Sequence, residues 1–203
     1  STYDGVLNAV PYYAGVRAGI VRSDLAEAAG VNPPYDSLDD LQAAAVKLLE
    51  AHGDDGTYSG LYFASQYWYE ALSFVWDFGG DVATGSDADG WTGALSSAES
   101  KAGIQRLKDF YDAVSRNSGN TNEGQDAALM AQEQTAMIID PTWMPGVVTG
   151  GDNGNPDLEG KLAVFAVPGH EPGTVLPQFL GGSDIAINAK SPKTDLAIEY
   201  TKL

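Results

Sequence analysis

The 203-residue chain contains no cysteine. Disulfides, thiol catalysis and cysteine-ligated zinc or iron–sulfur sites are therefore excluded. The redox compartment stays open, because a core of this size needs no disulfide staples. Cations are scarce as well: 11 Lys and Arg stand against 28 Asp and Glu, for a formal net charge of -17. The few cations are scattered, so the basic patch that neutralises phosphates is missing and nucleic acid is set aside as a partner. Charge-driven docking on an anionic membrane is set aside for the same reason. No apolar run approaches the length of a membrane span.

Catalytic signatures are also lacking. There is no GxSxG, GxGxxG or phosphate-loop pattern, so no catalytic residue and no cofactor is nominated. The two histidines, His52 at a helix end and His170 in a Gly/Pro loop, have no partner at metal or triad spacing and read as solvated surface. Asp87 to Gly90 carries a hint of a calcium loop, but the regular oxygen ligands and the closing glutamate are missing. It reads as a turn, and no metal site is expected. A glycosidase needs two carboxylates facing a cleft, and 28 acidic residues make coincidental pairs certain, so none is nominated.

What is present is an alternation of strand and helix signals. Asp4-Gly5 reads as a turn, Leu7 to Val10 as a strand and Val16 to Val21 as another. Ser23 to Val31 is a short helix capped by Ser23 and ended by Gly30. Ser37 to Gly53 is the clearest helix: Ser37 caps it, Asp40 completes a capping-box variant, and Leu38, Leu41, Ala45, Leu48 and Leu49 share one face. A turn at Asp54-Asp55 leads to a strand ending near Ser65. Tyr67 to Val82 is a buried aromatic helix closed by Gly79-Gly80. Ala83 to Leu95 is a hairpin over Asp89-Gly90. Ser96 caps the next helix, with Glu99 completing its box. Asn122 to Gln134 is another helix, leading into a strand at Met137 to Ile139. Gly151 to Lys161 is a polar, Gly-rich surface loop. Leu162 to Gly169 and Ser183 to Ser191 are strands, and Ser191 to Leu203 begins a helix. Strands alternating with helices predict α/β architecture. Ser1 opens into a strand already under way and the last helix lacks a cap, so the chain is expected to be a fragment of a longer protein.

The aromatic residues are the remaining signal. Tyr12-Tyr13, Tyr67-Trp68-Tyr69 and Trp143 each follow a predicted strand, and open α/β sheets bind ligands at strand carboxyl ends. Phe74, Trp76 and Phe78 are assigned to the core. Flat aromatic faces suit the C–H faces of sugar rings, while Asp, Gln and Arg hydrogen-bond hydroxyls. The pairs that meet both needs are Asp140 with Trp143, Gln66 with Tyr67 to Tyr69, and Arg17 with Tyr12-Tyr13. Plain packing and a carbohydrate pocket both remain open from the residues alone.

The order of motifs resembles the extracellular solute-binding proteins of ABC sugar importers, the maltose-binding-protein class. "DGVLNAVPYYAGVRAGIVRSDLAEAAGVNPPYDSLDDLQAAAVKL" is similar to the crossing segment between the lobes, and "FGGD" to the turn after the first cleft helix. "SSAESKAGIQRLKDFYD" is similar to the next helix, and "ALMAQEQTAMIIDPTW" to the element ending in a Gly/Pro-Trp. "LAVFAVPG" and "LGGSDIAINAKSPKTDLAIEYTKL" are similar to the return strands and helix. Each motif is weak alone; together, in order, they cover nearly the whole chain.

The resemblance implies a periplasmic-binding-protein-like α/β fold of two lobes joined by hinge strands, closing on ligand by hinge bending. Residues 1–10 would be the hinge crossing, 11–150 the C-terminal-lobe domain, and 151–203 a linker with return elements of the truncated other lobe. A signal peptide or lipobox cysteine would have been lost with the N-terminus. By position, Trp143 matches the stacking tryptophan and Tyr69 an aromatic at the start of the cleft helix. Gly15 and Arg17 lie where polar ligand contacts occur, with Gly15 departing from the usual acidic residue. Gly182, Ser183 and Asp184 match a "GGW" motif, with Ser183 in place of the aromatic and Asp184 able to offer a hydrogen bond instead. The implied function is non-catalytic capture of a sugar, an oligosaccharide by the number of platforms, for delivery to an ABC permease. The implied location is extracellular, periplasmic or lipid-anchored at the outer face of the membrane. A polyamine, a metal chelate or an anion on the same fold, or a carbohydrate-active enzyme, are the alternatives.

Overall fold

A computed structural model of the chain describes residues 2–3, 6–7, 9–53, 56–116 and 124–202. The predicted turns at Asp4-Gly5 and Asp54-Asp55 and the start of the helix predicted from Asn122 lie outside the described residues. In chain order the elements are β1 (Thr2–Tyr3), β2 (Val6–Leu7), β3 (Val10–Gly15), β4 (Arg17–Arg22), α1 (Ser23–Ala29), α2 (Leu38–His52), β5 (Ser59–Tyr62), α3 (Trp68–Asp77), β6 (Ala83–Ser86) and β7 (Gly90–Gly93). There follow α4 (Ala98–Val114), α5 (Asp126–Ala131), β8 (Thr135–Pro141), α6 (Met144–Thr149), β9 (Leu162–Phe165), β10 (Gly181–Ile185) and α7 (Thr194–Tyr200). They group into two compact units, Arg17–Phe179 and the pair of segments Ser1–Val16 and Leu180–Leu203.

The larger unit is built on a four-stranded sheet in the order β5-β8-β4-β9. β8 is buried along almost its whole length, as expected for a central strand of continuous apolar residues. It runs parallel to β5 and antiparallel to β4, and β4 is antiparallel to β9. Ile20, Leu61, Met137 and Ile138 from the strands meet Leu38, Leu41, Phe74 and Phe110 from the helices in one core. Two glycines set how closely helices approach. A Cβ on Gly60 of β5 would lie 1.9 Å from the Ala45 carbonyl oxygen of α2. A Cβ on Gly103 of α4 would lie 2.4 Å from the Phe74 carbonyl oxygen of α3.

Several boundaries differ from expectation for identifiable reasons. The larger unit runs from Arg17 to Phe179, not from 11 to 150, because β9 pairs with β4 in the same sheet. Ser37 caps α2 as read, accepting from the Asp40 N–H. Ser23, however, is the first residue of α1 and not its side-chain cap; its N–H donates to the Lys161 carbonyl at 2.9 Å. α4 is capped by Ser97 rather than Ser96, and Ser97 Oγ accepts from the Ser100 N–H. That register buries Ser100, whose Oγ accepts from the Asp81 N–H at 3.1 Å. In the β6–β7 hairpin Gly90 belongs to β7, opposite Ser86. Gly90 takes φ 84, a left-handed value suited to glycine. The stretch read as a surface loop is partly anchored: Leu158 is buried and Asn155 Nδ2 donates to the Ala131 carbonyl at 2.9 Å.

The histidines also differ from solvated side chains without partners. His170 lies with Nδ1 3.1 Å from Asp77 Oδ2, and its ring stacks on Phe78 at 4.3 Å. The segment around it folds back on α2, whose Leu38 N–H donates to the Gly169 carbonyl at 2.8 Å. His52 is exposed but stacks on Tyr58 at 3.6 Å with the rings 6° apart.

In the smaller unit β3 and β10 form an antiparallel two-stranded ribbon, and β1 pairs with β2. Helix α7 buries none of its residues.

Candidate functional site

The topology of the larger unit gathers chemistry on one sheet edge. Arg17 lies opposite Pro141, and Ala18 opposite Asp140, so β4 begins where β8 ends. β5 runs parallel to β8, so the chain leaving β5 passes along the same edge before entering α3 at Trp68. This is the carboxyl edge of parallel strands, the usual ligand side of an α/β sheet.

Three polar groups meet there. The Arg17 Nε–H donates to the Tyr67 hydroxyl, and that hydroxyl donates to Asp140 Oδ1 at 3.4 Å. Tyr67 and Asp140 are buried at 3% and 6% exposure. Burial first, then the Asp140 charge, push the Tyr67 hydroxyl well above its ordinary value, with Arg17 opposing. The hydroxyl is therefore a neutral donor at physiological pH. The Arg17 guanidinium carbon lies 4.7 Å from the Tyr67 ring centroid and 4.6 Å from that of Tyr69. Both are cation–π distances.

Beside this cluster stands an aromatic surface. Trp68 and Tyr69 lie 3.8 Å apart at 32°. Phe179 meets Trp68 at 5.5 Å, Tyr69 at 5.2 Å and Trp76 at 6.4 Å, the last nearly parallel at 12°. Trp68 remains 52% exposed and Trp143, just past β8, 51% exposed. Large rings held open to solvent on a sheet edge are unlike packing, which would cover them. Gln66 is exposed, and its carbonyl accepts from the Trp68 N–H at 3.0 Å.

Below the aromatic surface lies a carboxyl that the sequence did not bring forward as a site residue. Glu70 is fully buried, at 0% exposure. Its Oε1 faces Gln178 Nε2 at 3.5 Å, and among the described residues its Oε2 has no hydrogen-bond partner. Desolvation pushes Glu70 up to about 7, opposed by the Gln178 hydrogen bond and the Arg17 charge and assisted by Asp140. Glu70 was detectable as a carboxylate four residues before Phe74 on the buried face of an aromatic helix. Gln178 and Phe179 were not, because only the folded chain carries them to α3.

Arg17, paired in the sequence with Tyr12-Tyr13, opens β4 and within the larger unit sits against Tyr67 and Tyr69. Asp140, paired in the sequence with Trp143, is buried and accepts from the Tyr67 hydroxyl. The core assignment holds fully for Phe74 alone, since Trp76 and Phe78 are half-buried.

The smaller unit carries the other candidates on its ribbon. Tyr12 and Tyr13 lie within β3 and not past a strand end, because Pro11 does not stop the strand. In a two-stranded ribbon each strand is an edge, where a missing N–H is tolerated. Tyr12 and Tyr13 are 69% and 48% exposed, with their rings edge-on at 5.8 Å. Gly182, Ser183 and Asp184 pair with Ala14, Tyr13 and Pro11, with the register shifting between Ser183 and Asp184. Gly182 takes φ 153, and a Cβ there would lie 2.3 Å from the Tyr13 carbonyl oxygen, so close strand approach requires glycine.

Comparison with known proteins agrees with this architecture. The chain is 26% identical over its whole length to the diacetylchitobiose-binding protein DasA of Streptomyces coelicolor, of which it covers 46%. Its fold matches the maltose-bound MalE3 of T. maritima with a TM-score of 0.81 at 23% identity, over 99% of this chain and 51% of that one. It matches the GacH receptor of Streptomyces glaucescens, solved unliganded and with acarbose, with a TM-score of 0.79 at 22% identity, over 99% of this chain and 49% of that one. The chain thus spans about half the length of these relatives. The α/β, periplasmic-binding-protein-like architecture expected from the sequence is the fold they share. The model of the bacterial extracellular solute-binding proteins matches residues 1–202, and the chain belongs to that family.

Proposed function

We propose that the protein captures a sugar, an oligosaccharide in preference to a monosaccharide, and presents it unaltered to an ABC import permease. One observation carries this: a solvent-open aromatic surface, Trp68, Tyr69 and Phe179, adjoins the Arg17–Tyr67–Asp140 cluster on a single sheet edge. Stacked rings take the C–H faces of pyranoses, and an adjoining polar network fixes hydroxyl orientation. Trp143 extends the aromatic surface in this reading. On the ribbon of the smaller unit, Tyr12, Tyr13, Gly182, Ser183 and Asp184 are sugar contacts of their own in this reading, and Gln66, exposed just before α3, is a polar contact of the larger unit. The relatives DasA, GacH and MalE3 are described with diacetylchitobiose, acarbose and maltose, each a ligand of more than one ring. The protein acts outside the cytoplasmic membrane, in a periplasm or tethered by lipid.

The second reading, a polyamine, draws on the net charge of -17 and the aromatic residues. Against it stands Arg17, whose guanidinium lies against two of the rings a cation would use. Chemistry on the bound sugar has no nominated acid–base pair. Intrinsic tryptophan fluorescence, titrated with maltose, diacetylchitobiose, tagatose, spermidine and acetate, tests the proposal. Saturable change with a saccharide supports it. Response to spermidine alone transfers the function to polyamine uptake, and release of free monosaccharide from a bound disaccharide makes the protein an enzyme.

A further inference from the structure

Glu70 plays no part in the cluster that would touch sugar, yet it lies under the aromatic surface with no exposure to water. Residues 177–180 belong to no helix or strand. Their placement relies on side chains. Leu176 is anchored in the core, its N–H donating to the Val167 carbonyl at 2.9 Å. Gln178 Nε2 reaches both the Leu176 carbonyl and Glu70 Oε1 at 3.5 Å. Phe179 then lies against Trp68, Tyr69 and Trp76. Glu70 and Gln178 thus form the connection between α3 and the segment that completes the aromatic wall.

We propose that Glu70 is a positioning residue for this wall: its neutral carboxyl, tied to Gln178, holds Phe179 in place, and its ionised form loosens Phe179 and weakens the site. Physical reasoning favours that direction. A carboxylate in a dry site loses its hydration, and one long amide hydrogen bond does not replace it. The charged groups that Glu70 senses are Arg17 at the start of β4, which favours ionisation, and Asp140 at the end of β8, which opposes it. Among these influences desolvation is the largest. Ionisation therefore favours any arrangement that admits water, and the irregular segment carrying Phe179 is the part able to move. A sugar stacked on the wall excludes more water and shifts the balance further to the neutral acid.

The structural half of this proposal stands without ligand; its effect on affinity rests on the sugar-binding reading. Near-ultraviolet circular dichroism and tryptophan emission are followed from pH 5 to 9 without ligand, in the wild type, Glu70→Gln and the control His52→Gln/His170→Gln. The wild type and the histidine control are expected to show one transition near pH 7, and Glu70→Gln none. Maltose and diacetylchitobiose are then titrated at pH 5.5 and 8.5. If only the neutral form is competent, the wild-type Kd rises about thirtyfold between those values, while that of Glu70→Gln stays level. A transition that persists in Glu70→Gln, that vanishes in the histidine control, or that is absent from the wild type overturns the proposal. So does equal wild-type affinity at both pH values. If neither sugar binds at either pH, the sugar reading fails, and the ligand-free spectra still decide the role of Glu70.

Discussion

Glu70→Gln keeps the side-chain volume and the amide-facing oxygen of Glu70 while removing its proton equilibrium. Its effect on stability follows from burial. The Glu70 carboxyl stands at about 7 in the folded chain against an ordinary 4.5, with desolvation the main cause. A raised value means that the folded state keeps a proton the unfolded chain releases. Its stabilising contribution is therefore complete below about 4.5, falls as pH rises, and is gone above about 7. Each tenfold preference for the neutral form is worth about 1.4 kcal/mol, so the whole effect is about 3 kcal/mol. The group has no solvent exposure, so screening does not reduce this much. Urea unfolding of both proteins at pH 5, 6, 7 and 8 isolates the term, because every other titrating group is common to the pair. Glu70→Gln is expected to gain on the wild type by about 2–3 kcal/mol between pH 5 and pH 8. Stability curves that run parallel across that range would refute a buried neutral carboxyl at this position.

Trp143→Ala removes an exposed ring, so thermal unfolding should barely change, while Kd for a bound oligosaccharide, read by calorimetry, should rise about tenfold or more. Unchanged affinity removes Trp143 from the site. Gly103→Ala forces a Cβ against the Phe74 backbone and should cost about 2 kcal/mol or more of stability, seen as a lower urea midpoint. Arg22 is buried and bonded to Asp24 at 2.9 and 2.8 Å and to Glu133 at 2.9 Å. Arg22→Ala leaves two carboxylates close together but partly hydrated, for an expected loss of about 1–3 kcal/mol. A midpoint shift below about half a kcal/mol would mean that water replaces the arginine almost fully.

Much of the fold was legible in the sequence because local chemistry and tertiary demand coincide. α2 has a Ser37 cap, an apolar stripe and Gly53 after its end, and all of these agree with its packing. β8 reads as buried because its apolar run fills the central position of the sheet. The misplacements arose where a distant partner decided. Ser97 won the cap of α4 from Ser96 because Ser100 is claimed by Asp81. β9 stays in the larger unit because β4 offers it a free edge. The candidate site divides in the same way. Strand-end logic nominated Tyr67 to Tyr69, Trp143 and Arg17, while the contact of Arg17 with the Tyr67 and Tyr69 rings had no local signal. Glu70, Gln178 and Phe179 make up a contact spanning 108 residues between Glu70 and Gln178, which no local pattern encodes.

The central claim is that the sheet edge bearing Arg17, Tyr67 to Tyr69, Asp140 and Trp143 is where sugar binds. Backbone amide shifts of isotope-labelled protein, followed by NMR during titration with maltose and with diacetylchitobiose, test it directly. The account predicts saturable shifts centred on residues 66–70 and 140–144 and on Arg17 and Phe179, with the far ends of β5 and β8 unmoved. Saturable shifts confined to the α1–α2 face or to the β6–β7 hairpin would contradict it, as would shifts with neither sugar.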